Sequence, residues 1–140
     1  MFKLLVPVDG SKPAERAVRH AIRLAAEGLE ISVLLLHVQP TPLPPSAAKS
    51  RRRAEMLHQL EEGEKATRPA TRLLERAGVS HKVYARSGAP ADGILKFARE
   101  KRCEAIVMGT RGMGAIAGLV LGSTAMKVIQ LTPVPVTLVK

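Results

Sequence analysis

The sequence predicts an α/β protein with a parallel β-sheet that is covered by helices on both faces. Apolar segments alternate with segments of helical periodicity, in the order β-α-β-α-β-α-β-α-β. The segment 31–38 (I-S-V-L-L-L-H-V) is apolar enough to be covered on both faces, which is typical of strands in parallel sheets. The apolar segment 105–108 stops at a glycine-rich stretch, 109–124, as expected where a buried strand ends in a loop. Such alternation indicates parallel strands joined by crossover helices.

Local signals place the first two strands and the helix between them. Residues 4–8 (L-L-V-P-V) predict the first strand, which ends at an Asp-Gly-Ser turn. Ser11 is suited to be the N-cap of the following helix, and Gly28 marks the end of that helix. The second strand is the apolar segment 31–38.

A proline-rich segment follows the second strand. Prolines at 40, 42, 44 and 45 exclude a helix there, and we expect an exposed connection over residues 39–50. A long polar helix over roughly 48–77 comes next, with a glycine at its C-terminal end. Because Pro69 lies inside this segment, we expect the helix to be kinked or split there.

The second half of the chain repeats the alternation without an internal sequence repeat. Its predicted elements are a strand at 80–85, a helix at 89–102, a strand at 104–108, a short helix at 124–131 and a last strand at 134–139 that contains Pro135.

Length and composition limit the classes of protein to which this chain can belong. We expect one domain over residues 1–140, long enough to bury a core, with 46% hydrophobic and only 2% aromatic residues. The single cysteine, Cys103, excludes an internal disulfide and is expected to be a small packing residue in a reducing compartment. Neither a signal-like start nor an apolar run of about 18 residues is present, so we expect a cytoplasmic protein without membrane contact.

The formal net charge of +10 raises the question of a polyanionic partner. The basic residues are interleaved with acids, and the only basic run, residues 51–53, has no aromatic neighbours on which bases could stack. A solvated surface is favoured over a nucleic-acid interface. A polyanion-binding protein stays an alternative, and a steep loss of affinity with salt would be its sign.

The glycine-rich stretch favours phosphate binding. Gly109 and Gly112 are three residues apart, and Gly122 and Ser123 follow after nine more residues. Glycine lets a ligand approach the backbone, while Ser123 and Thr124 are suited to cap the next helix, whose first N–H groups would face an anion. The spacing fits neither a P-loop, which needs a lysine, nor a dinucleotide fingerprint. A merely flexible loop is the alternative.

Three segments that are distant in sequence are expected to meet in one crevice. Asp9, the region of Val38 and Gly109 all follow predicted parallel strands, and ligands of such sheets bind beyond the carboxyl ends of the strands at a topological switch point. Asp9 can accept hydrogen bonds from a ribose or an exocyclic amine, or it can serve as a turn residue before the first helix. Arg111 could pair with a phosphate, or it could be a solvated loop residue.

Taken together, these residues resemble the universal stress protein family, in its ATP-binding subclass. The resemblance covers nearly the whole chain, from residue 2 to residue 140. Each of its elements would be weak alone, but their order and spacing are specific. The elements are residues 6–11 (V-P-V-D-G-S), the glycine pattern 109–123 (G-x-x-G, nine residues, G-S) and residues 133–140 (P-V-P-V-T-L-V-K).

The resemblance implies a Rossmann-like open sheet of five parallel strands in the order 3-2-1-4-5, with ATP between the first and fourth strands, and a homodimer formed by the last strand, 134–139. It implies that Asp9 and Val38 border the adenine and ribose, with Pro7 among the same cofactor-binding residues. Met108, Gly109 and Gly112 would surround the ribose and first phosphates. Gly122, Ser123 and Thr124 would hold the distal phosphates, and Arg111 is included in the expected site.

The resulting expectation is a stress-response or signalling module that binds ATP, with Mg²⁺ on the phosphates. No catalytic constellation and no histidine–cysteine metal site stand out in the sequence, so any hydrolysis is expected to be slow. An interaction protein of the same fold that binds no nucleotide is the alternative from another class. An apolar final strand at a sheet edge independently favours pairing with a second copy.

Overall fold

The computed structural model describes residues 1–39, 46–111 and 121–140, and its elements follow the predicted order. The strands are β1 (Phe2–Pro7), β2 (Ile31–Gln39), β3 (His81–Ser87), β4 (Ala105–Gly109) and β5 (Val136–Val139). The helices are α1 (Lys12–Ala26), α2 (Lys49–Ala77), α3 (Pro90–Glu100) and α4 (Ser123–Leu131).

The five strands form one parallel sheet in the order β3-β2-β1-β4-β5, as the family resemblance implied. From β1 the chain first crosses to β2 on one side of the sheet, and β4 later adds on the other side. The strand order therefore reverses between β1 and β4. This reversal is the switch point at which open α/β sheets bind ligands.

Two apolar cores cover the two faces of the sheet. Helices α1 and α2 pack on one face, where Val6, Val33 and Val107 are almost fully buried beside Leu74 of α2. Helices α3 and α4 pack on the other face, where Phe97 of α3, the largest buried side chain, joins Leu5 and Ile106 of the sheet. The predicted aliphatic core is thus confirmed. Alternate residues of β1, β2 and β4 contribute to opposite cores, as the strand period requires.

Helix α2 is longer and more regular than expected. It runs continuously from Lys49 to Ala77, so Pro69 does not split it. Ala70 and Leu74 of its C-terminal part are buried against the sheet, and this packing holds the helical path through the proline. Gly78 ends the helix in the left-handed conformation, with φ 68°, which suits a residue without a Cβ.

The predicted connection 39–50 is too long at both ends. Gln39 is the buried last residue of β2, and Lys49 already begins α2. Residues 40–45 lie outside the described part of the chain. Across the described ranges, no helix combines the length and apolar character that crossing a membrane would need.

Pro135 lies immediately before β5, which begins at Val136 and not at residue 134. The Pro135 carbonyl accepts a hydrogen bond from the Ile106 N–H at 2.9 Å. The missing proline N–H therefore falls outside the strand ladder, where the sheet tolerates it.

Candidate functional site

The carboxyl ends of β1 and β4 lie side by side and bring two distant loops together. Leu4 and Leu5 of β1 pair with Ala105 and Ile106 of β4. Gly109 at the end of β4 then packs on the first turn of α1, because a Cβ on Gly109 would lie 2.6 Å from Pro13 Cβ. The predicted neighbours Asp9 and Gly109 therefore lie at the same end of the sheet, next to the start of α1.

Three of the predicted side chains lie on the sheet face that α3 and α4 cover. Met108 is buried in that core, and Val38 packs at its margin. Pro7 is two residues beyond Leu5, whose side chain belongs to the same core, so it lies on this face as well. A Cβ on Gly93 of α3 would approach both methyl carbons of Val38 to 2.9 Å. Gly93 thus leaves the room that Val38 occupies.

Asp9 takes part in the N-terminal cap of α1. Its Oδ1 accepts the Ser11 N–H at 3.0 Å, and Ser11 Oγ accepts the Ala14 N–H at 3.3 Å. Glu15 adds a carboxylate in the first turn. The predicted N-cap role of Ser11 is confirmed, and the turn interpretation of Asp9 is part of the observed geometry. Its second predicted role, at a nucleotide, stays a prediction.

The N-terminus of α4 is arranged differently. Its N-cap is Gly122, with extended backbone (φ −75°, ψ 161°), so the prediction that Ser123 and Thr124 cap this helix is wrong. No described side chain caps the helix, and its first turn contains no acidic residue. The first intrahelical bond runs from the Met126 N–H to the Gly122 carbonyl. The N–H groups that precede it donate no bond to a described capping side chain, and they lie at the positive end of the helix dipole.

The two glycines that border the loop have structural reasons to be glycine. A Cβ on Gly109 would also lie 2.8 Å from the Pro13 carbonyl carbon. A Cβ on Gly122 would lie 3.3 Å from the Thr110 carbonyl oxygen, which also accepts the Gly122 N–H at 2.6 Å. Neither glycine has positive φ. Close backbone contact explains both positions without a ligand.

Thr110 is the residue that the sequence reasoning missed. It is 7% exposed, and its N–H donates to the Val139 carbonyl of β5 at 3.0 Å while its carbonyl holds Gly122. Thr110 therefore ties the end of the sheet to the start of α4. A single threonine beside a glycine gives no sequence signal for such a role.

Arg111 directly follows Thr110 and is the last described residue before the glycine-rich loop. It is exposed and forms no ion pair with any residue of the described ranges, so its guanidinium is available to an anion. Gly112, together with Gly114 and Gly118 of the same stretch, lies outside the described residues. Behind the crevice, Lys127 Nζ of α4 is 2.8 Å from Asp92 Oδ1 of α3 and links the two helices.

The remaining side chains that could act as metal ligands or nucleophiles are explained by structural contacts. Among the described residues, no group of three or more histidine, cysteine or acidic side chains is placed to hold a metal ion. His37 Nδ1 lies 2.9 Å from the Val8 carbonyl. Burial raises the pKa of the Cys103 thiol, and the positive charges of Lys3 and Lys101 only partly oppose this. A buried thiol with a raised pKa is a poor nucleophile.

The fold defines the class: a doubly wound parallel sheet whose strand order reverses between β1 and β4. The chain belongs to the universal stress protein family, whose model matches residues 1–140. A universal stress protein of Thermus aquaticus is 35% identical over 142 residues, which cover all of both chains.

Solved structures agree with this assignment. The structure of hypothetical protein MJ0577 superposes with a TM-score of 0.80 at 29% identity, covering 99% of this chain and 95% of the other. A universal stress protein solved in complex with cAMP has a TM-score of 0.73 at 25% identity, covering 99% and 97%. These similarities support the predicted fold and family independently of the motifs.

Proposed function

We propose that this protein binds ATP, with Mg²⁺ on the phosphates, in the crevice between β1 and β4. Pro7, Val38 and Met108 border the base and ribose from the sheet face covered by α3 and α4, and Asp9 lies at the ribose. The cAMP complex of a similar family member supports an adenine nucleotide as the ligand. Mg²⁺ would be held mainly by the phosphate oxygens and would neutralise part of their charge, so the site would need no cluster of acidic side chains.

The single observation that carries the proposal is the N-terminus of α4. It lies beside the end of β4, where the Gly122 N–H bonds to the Thr110 carbonyl, it lacks an acidic residue in its first turn and it has a glycine as its N-cap. The N–H groups of Ser123, Thr124 and Ala125 form a site for the distal phosphates, and the exposed Arg111 supplies a cation beside it. Binding by backbone groups requires no catalytic side chain, so hydrolysis is expected to be slow.

With ATP bound, the protein would act as a nucleotide-dependent stress-response module. We also propose that it forms a homodimer through residues 134–139, which comprise β5 and the two residues before it. β5 is the last strand of the sheet and pairs only with β4 among the described strands. Such an edge favours pairing with a second copy. Sedimentation at micromolar concentration tests this part, and a monomer there contradicts it.

The decisive variant for nucleotide binding is Ser123→Asp. A carboxylate in the first turn of α4 interacts favourably with the helix dipole, so the free energy of unfolding should rise by about 0.3–1 kcal/mol. The same charge repels phosphates, so the dissociation constant for ATP–Mg²⁺ should rise about tenfold or more in calorimetric titration. Loss of binding in a protein of raised stability cannot result from misfolding.

Ser80→Asp is the matched control, because Ser80 is also exposed but precedes β3 at the opposite edge of the sheet. It should change ATP affinity by less than about twofold. ADP, AMP and cAMP are titrated in parallel to identify the preferred phosphate state. Equal affinity of Ser123→Asp and wild type for ATP would contradict phosphate binding at α4, and absence of binding by folded wild type would remove the nucleotide proposal.

A further inference from the structure

A second groove lies between α1 and α2, on the sheet face away from α3 and α4. Its volume is ≈ 410 Å³. Pro69 and Leu73 form its apolar part, and Glu15 of α1 is the only acidic side chain among the described residues that line it. The remaining lining residues are all cations: Arg19 from α1 and Lys65, Arg68, Arg72 and Arg76 from α2.

The four cations of α2 form one stripe. They are separated by three, four and four residues, so they share a helix face at intervals of about 4.5–6 Å and extend over about 16 Å. In the sequence they are interleaved with residues of other helix faces. Their alignment becomes visible only once the helix and its α1 neighbour are in place.

Part of this positive charge is unpaired within the described chain. Glu15 is engaged by Arg19 at 2.9 Å, and Arg68 pairs with Glu64 at 2.6 Å. Arg72 and Arg76 are exposed and form no ion pair with any residue that the structure describes. The C-terminal half of the groove therefore has the strongest uncompensated charge and should attract carboxylates.

The residues that line the groove favour an extended acidic peptide over other anions. The cationic stripe runs along about 16 Å of α2, which matches about five residues of an extended peptide. No aromatic side chain lines the groove for base stacking. Side chains on the same side of an extended peptide recur every ~6.6 Å, close to the rise of about 6 Å between Arg68, Arg72 and Arg76. Pro69 and Leu73 can pack against methylene stems, which a phosphate chain lacks.

We propose that the α1–α2 groove is a docking site for an extended acidic peptide segment of a partner protein. Arg72 and Arg76 are its principal anchors, because each can bind a carboxylate bidentately. The site lies on different elements from the nucleotide crevice, apart from the shared helix α1. It gives part of the +10 net charge a defined role.

The test uses a fluorescein-labelled decapeptide in which Glu alternates with Ser, titrated with the full chain and followed by anisotropy at 0.15 M salt. Arg72→Gln combined with Arg76→Gln should weaken binding about tenfold or more. The matched control is Arg51→Gln combined with Arg52→Gln, which removes the same charge from exposed positions at the other end of α2. It should weaken binding less than about twofold. Circular dichroism checks that both variants keep the helical content.

Equal weakening by both double variants would overturn the proposal in favour of diffuse electrostatic attraction. Absence of saturable binding by wild type would overturn it as well. An unlabelled Gln–Ser decapeptide should not compete. Single-stranded oligouridylate or inorganic polyphosphate of equal charge should compete more weakly than the unlabelled acidic peptide, and stronger competition by either would replace the peptide with a phosphate polymer.

Discussion

Helices α1 and α4 both begin at the carboxyl end of the strands, and their N-termini are built in opposite ways. At α1, Ser11 caps the helix, Asp9 accepts the Ser11 N–H, and Glu15 adds a carboxylate in the first turn. At α4, the cap is Gly122, and neither a capping side chain nor a first-turn acid is present among the described residues. One helix start is stabilised by its own side chains, while the other has no such partner among the described residues. An uncapped N-terminus of this kind is suited to an anion, which is the role that we propose for α4.

The largest expected effect on stability comes from disturbing the contact between Gly109 at the end of β4 and Pro13 of α1. Gly109→Ala would place a Cβ 2.6 Å from Pro13 Cβ and 2.8 Å from the Pro13 carbonyl carbon, so backbone must shift. We expect the free energy of unfolding to fall by about 1–3 kcal/mol in chemical denaturation. Gly122→Ala, whose Cβ would lie 3.3 Å from the Thr110 carbonyl oxygen, should cost less. The reverse order would mean that the α4 junction, and not the α1 contact, limits stability.

A pair of serine substitutions compares the two helix starts directly. Ser11→Ala removes the acceptor for the Ala14 N–H and should lower the free energy of unfolding by about 1 kcal/mol. Ser123→Ala removes no cap, so we expect a change within about 0.5 kcal/mol. Thermal and denaturant unfolding measure both. Similar losses in the two variants would show that Ser123 stabilises α4 after all.

The smallest expected effect on stability concerns Asp9. Asp9→Asn retains an oxygen that can accept the Ser11 N–H, so the free energy of unfolding should change by less than about 0.5 kcal/mol. If Asp9 also contacts the ribose, loss of its charge should weaken ATP binding several-fold in calorimetry. An unchanged affinity in this variant would restrict Asp9 to the cap of α1.

Local patterns predicted the succession of elements well, because each strand and helix has its own apolar period. They failed where a neighbour in space decided the outcome. Pro69 should have interrupted α2, but Ala70 and Leu74 are buried against the sheet and hold the helix through it. The glycine at 109 was interpreted through ligand approach, whereas its contact is with Pro13, 96 positions earlier in the chain.

In the candidate site, too, some features were predictable from local sequence and others depended on neighbours in space. The sequence indicated that Asp9, Val38 and Gly109 end neighbouring strands, and the strand order places them at one edge. It did not indicate that Gly122, rather than Ser123, caps α4, because capping depends on the backbone path that Thr110 holds. The cationic stripe of α2 was likewise hidden, since its members are interleaved with other helix faces.

The sequence by itself determined the α/β class, the order of the elements and the aliphatic character of the core, because these depend on local periodicity and composition. Its motifs also identified the family. Only the tertiary structure decided which glycines are required by packing, which helix start has no capping side chain among the described residues, and which cations share the α1–α2 groove. These features depend on contacts between residues far apart in the chain, and a linear pattern does not specify such distances.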